Sequence, residues 1–234
     1  MKLNPLKQFF NCIIDFIYPK ICPLCAMKIE ENGQFCPQCM DRLVDSMTVT
    51  VNRGKQDFQH LVGEIHFDEV LICWNYTADM EKLVHKVKYQ RGKRLGRLLG
   101  IKAGEALKKY FEGWNDSVMV PVPLHKIRHR ERGYNQSEIL SQGLAEHIPL
   151  TIESKILVRH RKTLSQTLLP IQERQKNVEG AFNVIEPNFF KGKRVLLVDD
   201  VCTSGSTLNS CAYSLKNAGV EGIVCVALAR PLLK

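Results

Sequence analysis

The sequence has no long apolar run, no glycine-rich nucleotide-binding motif and no internal repeat. Its uninterrupted apolar stretches are a handful of residues long, whereas a helix that crosses a bilayer needs about 20, so we predict no membrane span. Neither G-x-x-x-x-G-K-[ST] nor G-x-G-x-x-G occurs, which argues against a nucleoside triphosphatase loop or a dinucleotide fold. Hydrophobic residues make up 44% and charged residues 24% of the 234 positions, which excludes a wholly disordered, collagen-like or coiled-coil chain.

The first residues, MKLNPLKQFFNCIIDFIYP, place basic side chains ahead of an apolar stretch. Asp15 interrupts that stretch and no small-residue cleavage site follows, so we expect no signal peptide. Leu6, Phe10, Ile13 and Ile17 fall on one helical face. This predicts a short helix that packs on the rest of the chain, with contact to a membrane surface as the alternative. Without an export signal, the nine cysteines indicate the reducing cytoplasm.

The stretch from Asp45 to Gly63 has no sustained period and mixes polar residues with glycine, which predicts a junction between a small front part and a larger back part of the chain. In the back part, apolar strands such as 195–198 and 223–229 alternate with helices. Strands this short and apolar are buried on both faces, which predicts an α/β fold with a parallel sheet and helices on each side. The predicted bounds are 1–50 for an N-terminal helix and metal-binding segment, 51–66 for a linker and 67–234 for the larger domain.

Two C-x-x-C pairs in the front part predict a metal site. Cys22 and Cys25 form the first pair, Cys36 and Cys39 form the second, and ten residues separate the pairs. Four thiolates at this spacing can close a tetrahedron around Zn²⁺, and with no open position the metal would be structural. Four unrelated thiols or a redox pair are the alternatives. The cysteines predicted to fill the core are Cys12, Cys73, Cys202, Cys211 and Cys225.

A phosphate site is predicted where the apolar strand 195–198 runs into Asp199 and Asp200 and then into a Ser/Thr-rich turn before a helix. Ligands collect at the carboxyl ends of parallel strands. The helix start offers backbone N–H groups and a positive dipole end to one phosphate. Two adjacent carboxylates suit vicinal hydroxyls, with Mg²⁺ nearby to offset charge, so the implied ligand is a ribose 5-phosphate. The phosphate-binding residues are expected to be Thr203, Ser204, Gly205, Ser206 and Thr207. Alternatively, Asp200 caps the helix and the Ser/Thr run is an ordinary turn.

The segment VLLVDDVCTSGSTL resembles the phosphoribosyl-pyrophosphate (PRPP) motif of type I phosphoribosyltransferases. VPVPLHKIRHRERGYNQSEILSQGLA and RHRKTLSQTLLPIQERQKNVEGAF resemble two further signatures of the ComF/GntX family. Members of that family join a type I phosphoribosyltransferase domain to an N-terminal zinc ribbon. The resemblance covers nearly the whole chain, with Tyr134 where phenylalanine is commoner. The family's ComFC branch is associated with natural competence, the uptake of DNA for transformation.

The resemblance implies roles for individual residues. Asp199 and Asp200 would hold the ribose 2′- and 3′-hydroxyls of Mg²⁺-bound PRPP, and residues 203–207 would hold its 5′-phosphate. The segment after VMVPVPL resembles the pyrophosphate loop, where arginines offer forked donors and a glycine allows close approach. The residues expected there are Arg128, Arg132 and Gly133, with Arg130 as a further donor. A solvated basic turn or a nucleic-acid patch is the alternative reading of these arginines.

Between its first and last strands, the fold that this resemblance implies usually keeps a flexible loop that closes over the substrate and excludes water. The residues expected in that loop are Thr163, Gln166, Arg174 and Asn177. Structural salt bridges are the alternative role for Arg174 and Asn177.

Basic residues concentrate in one segment, 82–109, which holds ten Lys or Arg against one acid and so equals the whole formal charge of +9. It could be a solvated amphipathic face. It could also be a platform for single-stranded DNA, with Trp74 and Tyr89 available for stacking if their rings are exposed. A third reading has Lys88 and Arg91 contact pyrophosphate. The residues expected to bind DNA are Lys86, Lys93 and Arg97.

Three functions remain open at this level. The first is a cytoplasmic ComF-family protein whose PRPP-binding domain supports DNA uptake, with single-stranded DNA and a competence helicase as expected partners. The second is a nucleobase-salvage phosphoribosyltransferase. The third is an adaptor for DNA or a partner protein in which PRPP binding serves as a sensor. No general base is identifiable, so binding is predicted and turnover is left open.

Overall fold

The computed structural model describes residues 21–29, 33–59, 61–88, 92–161 and 169–231. The chain divides into two compact units, Met1–Ser46 and Met47–Lys234. No helix within the described residues is long and apolar enough to cross a bilayer. The predicted N-terminal helix, residues 6–17, lies outside the described part of the chain.

The smaller unit is built around two short turns and one helix. Ile21 and Lys28 form a single antiparallel bridge, and the Cys22 N–H donates to the carbonyl of Met27 at 2.8 Å. Helix α1 spans Pro37–Asp45, with proline in its first turn, where no intrahelical N–H partner is needed. Leu43 is buried on its inner face. The described residues of this unit, 21–29 and 33–46, bury few apolar side chains, which favours a metal as part of the core.

The larger unit is an α/β layer structure, as the alternation of apolar strands and helices predicts. Its six-stranded sheet has the order β1-β2-β8-β7-β3-β4, in which all neighbours are parallel except the edge pair β1 and β2; β5 and β6 form a separate antiparallel pair. The strands are β1 Met47–Arg53, β2 Glu69–Asn75, β3 Val118–Pro121, β4 Thr151–Ile152, β5 Leu157–Arg159, β6 Phe182–Val184, β7 Arg194–Val201 and β8 Gly222–Arg230.

Helices cover both faces of this sheet. One face carries α3, α4 and α6, and the other packs against α9 and the small β5–β6 pair. The α-helices of the larger unit are α2 Gly54–Asp57, α3 Ala78–Lys88, α4 Lys93–Leu107, α5 Lys126–Arg132, α6 Gln136–Leu144, α7 Ile171–Val178, α8 Pro187–Phe190 and α9 Ser206–Asn217, with a 3₁₀ turn at Lys108–Phe111. The central strands β7 and β8 are buried along almost their whole length, so the predicted α/β class with a parallel sheet is confirmed.

The predicted linker, 51–66, differs from what the structure contains there. Its first three residues belong to β1, which pairs with β2 from Arg53 to Met47. Phe58 and Leu61 are buried in the core beneath α9. An exposed edge strand has a weak apolar alternation, because only one of its edges is paired and little of its surface is covered. The division into three segments at 50 and 66 stays a prediction.

Helices α4 and α6 approach each other unusually closely, and glycine makes this possible. A Cβ on Gly100 would lie 2.3 Å from the carbonyl oxygen of Leu140, and one on Gly143 would lie 2.2 Å from the carbonyl oxygen of Arg97. Any larger residue at either position would push the two backbones apart. This contact sets the position of α6, whose first turn reaches the carboxyl edge of the sheet.

Candidate functional site

The four predicted metal ligands come together in the smaller unit. The sulfur atoms of Cys22, Cys25, Cys36 and Cys39 all lie within 4.8 Å of one another, and those of Cys25 and Cys36 are 3.5 Å apart. Burial, followed by the other thiols, raises the pKa of Cys39 to about 12, because several thiolates this close repel one another. A divalent cation removes that repulsion, so the cluster fits a structural Zn²⁺.

The remaining cysteines of the described residues lie in the core. Burial raises the pKa of the thiol of Cys73 and that of Cys202 to about 12. Such thiols are inert packing groups rather than nucleophiles. The buried cysteines of the larger unit are Cys73, Cys202, Cys211 and Cys225. Cys12 lies outside the described residues.

In the larger unit, the predicted aspartates end β7 at the carboxyl edge of the sheet. Asp199 is 8% exposed and Asp200 is 4% exposed. Asp199 Oδ1 accepts hydrogen bonds from the hydroxyl of Ser137 at 3.1 Å and from the backbone N–H of Asp200 at 2.9 Å. Asp200 Oδ2 lies 2.8 Å from the ammonium of Lys88. Each carboxyl group therefore has its own partner, supplied by a different helix.

Electrostatics separates the two acids. Burial, and then the charge of Asp200, raises the pKa of Asp199 well above its ordinary value. Burial would lower the pKa of Lys88, but the charge of Asp200 and the hydrogen bond to it outweigh burial and raise that pKa. Asp200 is thus matched with a cation, whereas Asp199 is held mainly by neutral donors. A buried carboxyl pair arranged in this way is costly for stability and is typical of a ligand site.

The Ser/Thr-rich turn follows β7 and leads into α9, as predicted. Gly205 has a φ of +81°, and a Cβ there would lie 2.7 Å from the ring of Phe58, so only glycine fits. The hydroxyls of Ser204 and Ser206 are 2.7 Å apart and both side chains are buried. The turn is therefore rigid, and it presents the first turn of α9 at the sheet edge, the arrangement that binds phosphate.

A cavity of about 320 Å³ lies over this edge. Asp199, Asp200, Thr203 and Thr207 form one part of its wall. Other parts carry cationic side chains from three separate elements. These are Lys88 of α3, Arg128 and Arg132 of α5, and Arg159 of β5. Four cations that line one cavity repel one another, and this arrangement suits an anionic ligand such as pyrophosphate.

The predicted pyrophosphate loop is a helix in the structure. Arg128 and Arg132 lie one turn apart on α5, so both reach the cavity, whereas Arg130 is exposed and is not among the lining residues. A Cβ on Gly133 would meet no protein atom within 4 Å, so no contact within the protein requires glycine there, and close approach of pyrophosphate stays a prediction. Gly133 ends α5 in the left-handed conformation, with φ +75°, and its N–H donates to the carbonyl of His129 at 2.8 Å.

The predicted flexible loop is only partly described. Thr163 and Gln166 lie outside the described residues. Arg174 and Asn177 lie on α7, and neither is among the residues that line the cavity. Arg174 Nε donates to the carbonyl of Leu169 at 3.1 Å, and the carbonyl of Asn177 accepts from Arg161 at 3.2 Å. These contacts tie α7 to its own neighbourhood.

The residues expected to bind DNA lie outside the cavity. Lys93 and Arg97 are exposed on α4, and Lys86 is half-buried on α3. Arg97 Nε is paired with Glu146 at 2.9 Å. The expectation of base stacking is wrong for Trp74, which is 1% exposed because β2 is an inner strand. Tyr89 and Arg91 lie outside the described residues.

Sequence reasoning missed several residues of the site, among them Glu81, Gln136, Ser137 and Arg159. Ser137 donates to Asp199, which is 62 positions away in sequence. Asn135 accepts the N–H of Ser137 at 3.1 Å, and an asparagine there indicates the start of a helix. It does not indicate that the helix starts beside Asp199. Arg159 lines the cavity from β5, directly before the predicted flexible loop. Contact between Lys88 and pyrophosphate is one of three interpretations of the basic segment, and no local sequence pattern distinguishes Lys88 from Lys86.

Comparison with known families defines the class. A model described as "Phosphoribosyl transferase domain" matches residues 97–232, which is more than half of the chain. A model described as "Double zinc ribbon domain" matches residues 13–49. That segment has four cysteines and no histidine, so Cys22, Cys25, Cys36 and Cys39 make up a single ligand set. The larger unit is thus a phosphoribosyltransferase-type domain, and the smaller one carries a zinc ribbon.

Three relatives place the chain more narrowly. It is 30% identical to competence protein F of Haemophilus influenzae, over 89% of this chain and 84% of that protein. It is 31% identical to DNA utilization protein YhgH of Salmonella typhi, over 91% of each chain. It is 25% identical to competence protein ComFC of Bacillus subtilis, over 86% of this chain and 79% of that protein. The chain belongs to the ComF/GntX family, and the resemblance found in its motifs is confirmed.

Proposed function

We propose that this protein binds PRPP together with Mg²⁺ in the cavity at the carboxyl edge of its sheet, and that it supports DNA uptake from the cytoplasm. The observation that carries the PRPP proposal is the buried aspartate pair directly ahead of the phosphate-type turn. Two carboxylates, a turn that precedes a helix and a cationic wall match the three polar parts of PRPP. The role in DNA uptake is supported by the names of the relatives.

The ribose is bound by the aspartates. Vicinal hydroxyls are paired donors on adjacent carbons, and two adjacent carboxylates are paired acceptors. The 5′-phosphate takes its donors from the turn at 203–207 and from the first N–H groups of α9. Together, the contacts to the ribose and to the 5′-phosphate would place the sugar between the turn at 203–207 and α5.

The pyrophosphate lies against the cationic wall. Arg128 and Arg132 present planar forks to its oxygens, and Arg159 adds a third guanidinium, all within one cavity. Mg²⁺ prefers oxygen ligands and enters with phosphate groups, so pyrophosphate oxygens and sugar hydroxyls are its ligands in this proposal. The metal would offset the charge that pyrophosphate brings close to the two aspartates.

Thermal unfolding tests the assignment of the sugar site. PRPP with Mg²⁺ at about 100 times its dissociation constant should stabilise the wild type by about 2.7 kcal/mol. An Asp199→Asn, Asp200→Asn double variant should show no rise in melting temperature above its own ligand-free value. The matched control is Asp41→Asn, Asp45→Asn, which removes two exposed acids of α1 and should keep the full rise. An equal rise in the double variant would refute the ribose assignment.

Turnover is a separate measurement on the same protein. Pyrophosphate release that depends on an added nucleobase would identify a nucleobase-salvage enzyme. PRPP binding with no release across a panel of purines and pyrimidines would identify a protein that uses PRPP as a bound effector.

We also propose single-stranded DNA as a partner of the basic segment, through Lys86, Lys93 and Arg97. Three phosphate contacts contribute a slope of about −2 to the dependence of log affinity on log salt concentration. Fluorescence anisotropy of a labelled oligothymidine should therefore show weaker binding and a shallower slope after all three are changed to glutamine. A control in which exposed Lys155, Lys176 and Lys191 become glutamine should keep the slope. A competence helicase is the protein partner that the family resemblance proposes, and binding of the purified pair would test it.

A further inference from the structure

We propose that Lys88 is a positioning residue of the sugar site: it holds the Asp200 carboxylate in place for a ribose hydroxyl, and it does not contact the pyrophosphate. This inference rests on the proposed binding of PRPP. It assigns a role to Lys88, whose ammonium pairs with one of the two aspartates, and it gives the segment 132–137 a role in supporting that pair.

The geometry of the ion pair separates Lys88 from the arginines. Its ammonium lies 2.8 Å from Asp200 Oδ2, and its side chain is 23% exposed while that of Asp200 is 6% exposed. The pair therefore occupies Oδ2 of Asp200, and in this proposal the other carboxylate oxygen, Oδ1, is the acceptor for a ribose hydroxyl. A buried carboxylate without such a partner would carry the full cost of desolvation, and its orientation would not be fixed.

The backbone that carries Lys88 is itself held in place. Lys88 is the last residue of α3, and the preceding residue, Val87, is fully buried. The hydroxyl of Tyr134 donates to the carbonyl of Val87 at 2.5 Å. Carbonyls in the last turn of a helix have no intrahelical partner, so this bond satisfies one of them and fixes the end of α3. A lysine that only needed to reach a mobile phosphate would not need such support.

The same short segment supports both aspartates. Tyr134 fixes the end of α3 and thus Lys88 beside Asp200, and Ser137 donates directly to Asp199. Asn135 fixes the segment in turn, since its side chain donates to the carbonyl of Val122 at 3.0 Å. The Arg-Gly-Tyr-Asn-Gln-Ser sequence is therefore a support for the ribose site as well as a source of one arginine for the cavity.

Arg132 gives a reason why Lys88 stays on Asp200. The side chains of Arg132 and Lys88 both line the cavity, and their two positive charges repel each other. Moving Lys88 toward the pyrophosphate would bring it nearer to the arginines and would leave Asp200 unpaired. Both changes are unfavourable at short range in a partly buried site.

Three ligands distinguish positioning from direct contact. Calorimetry with Mg²⁺ present would measure binding of PRPP, ribose 5-phosphate and inorganic pyrophosphate to wild type and Lys88→Met. We expect the affinities for PRPP and ribose 5-phosphate to fall by the same factor, about tenfold or more, and that for pyrophosphate to stay unchanged. A loss confined to PRPP and pyrophosphate would overturn the proposal. Lys88→Arg should restore most of the sugar affinity, and Lys82→Met, an exposed change on the same helix, should have no effect.

A double-mutant cycle guards against a general loss of structure. Removing Lys88 from the Asp200→Asn background should cause no further loss of ribose 5-phosphate affinity, because the carboxylate that Lys88 positions is gone. The same loss in both backgrounds would show that Lys88 acts independently of Asp200 and would refute the inference. If wild type binds neither PRPP nor ribose 5-phosphate, the proposed function fails. If it binds both and Lys88→Met matches it, only the present inference fails.

Discussion

The contact between α4 and α6 allows a sharp test of how the fold positions the site. Replacing Gly100 by alanine places a Cβ 2.3 Å from the carbonyl oxygen of Leu140 and 3.0 Å from the Cα of Gly143. Both obstacles are backbone atoms of α6, so no side-chain rotation can relieve them. On the same helix, a Cβ on Gly96 first meets the Cγ2 atom of Ile139 at 3.1 Å, which a small side-chain adjustment can relieve. Gly96→Ala is therefore the matched control.

The two substitutions share one favourable contribution and differ in one cost. Alanine in place of glycine inside a helix gains about 0.5–1 kcal/mol. Overpacking a close contact costs about 1–3 kcal/mol, and a backbone clash lies at the upper end. Gly100→Ala should therefore lose about 1–2 kcal/mol in the free energy of unfolding, which lowers the melting temperature by about 2–8 °C for a protein of this size. Gly96→Ala should be neutral or slightly stabilising.

Thermal and urea unfolding of the two variants measure this difference, and ligand binding measures its functional consequence. Displacing α6 moves Ser137 away from Asp199, so ribose 5-phosphate affinity should fall in Gly100→Ala and stay at the wild-type level in Gly96→Ala. Equal stability of the two variants would refute the claim that glycine is required for the helix contact. Unchanged affinity in a destabilised Gly100→Ala would refute the claim that this contact positions the site.

Three further predictions concern the metal, the buried acid and the phosphate turn. Elemental analysis should find about one zinc per chain. A Cys36→Ser variant should lose the zinc and become sensitive to proteolysis between residues 21 and 46. Metal-free protein with an intact small unit would contradict the zinc assignment. Burial raises the pKa of Asp199, so ionising this carboxyl group destabilises the folded protein as pH rises above the ordinary aspartate range. Asp199→Asn should therefore raise the free energy of unfolding, measured in urea, at pH 8 and raise it less at pH 5. A larger increase at pH 5 than at pH 8 would contradict this reasoning. Gly205→Ala forces a Cβ against Phe58 at 2.7 Å in a left-handed backbone, so it should lower both the melting temperature and the affinity for ribose 5-phosphate, and unchanged values for both would show that the turn is not rigid.

Local chemistry explains which parts of the site could be predicted. Two parts of the site are contiguous in sequence: the four cysteines from Cys22 to Cys39, and the aspartates with the turn that follows them. In each part, residues that are close in sequence are expected to bind the same group. Their spacing is therefore visible in the sequence. Ser137 and Lys88 act on the same aspartates from distant helices, and nothing near them in sequence specifies that contact. Only the packing of α6 and α3 on the sheet brings them to β7.

The fold shows the same division between local and non-local information. The fully apolar strands β7 and β8 are predictable because burial on both faces leaves no polar position. The edge strand β1 has exposed Val49 and Val51, so its pattern resembles a linker although it pairs along its length with β2. Helix α5 has no buried residue, so no apolar periodicity indicates a helix there. Pyrophosphate binding by its arginines stays a prediction. Arg128 and Arg132 line the cavity and Arg130 does not, and the regular spacing that separates Arg130 from the other two follows only from the helix.

The two aspartates also show why the supports of the site extend so far from it. Burying two carboxylates side by side destabilises the fold, and a domain of ordinary stability has only about 5–15 kcal/mol in total. Lys88 offsets part of this cost with an opposite charge, and Ser137 offsets part with a neutral donor. Both contacts depend on where α3 ends and where α6 begins, and the Tyr134 hydroxyl and the glycine contact hold these two positions. A ligand whose hydroxyls donate to the same carboxylates then binds an acceptor pair that is already oriented, so little of its binding energy is spent on reorganising the protein.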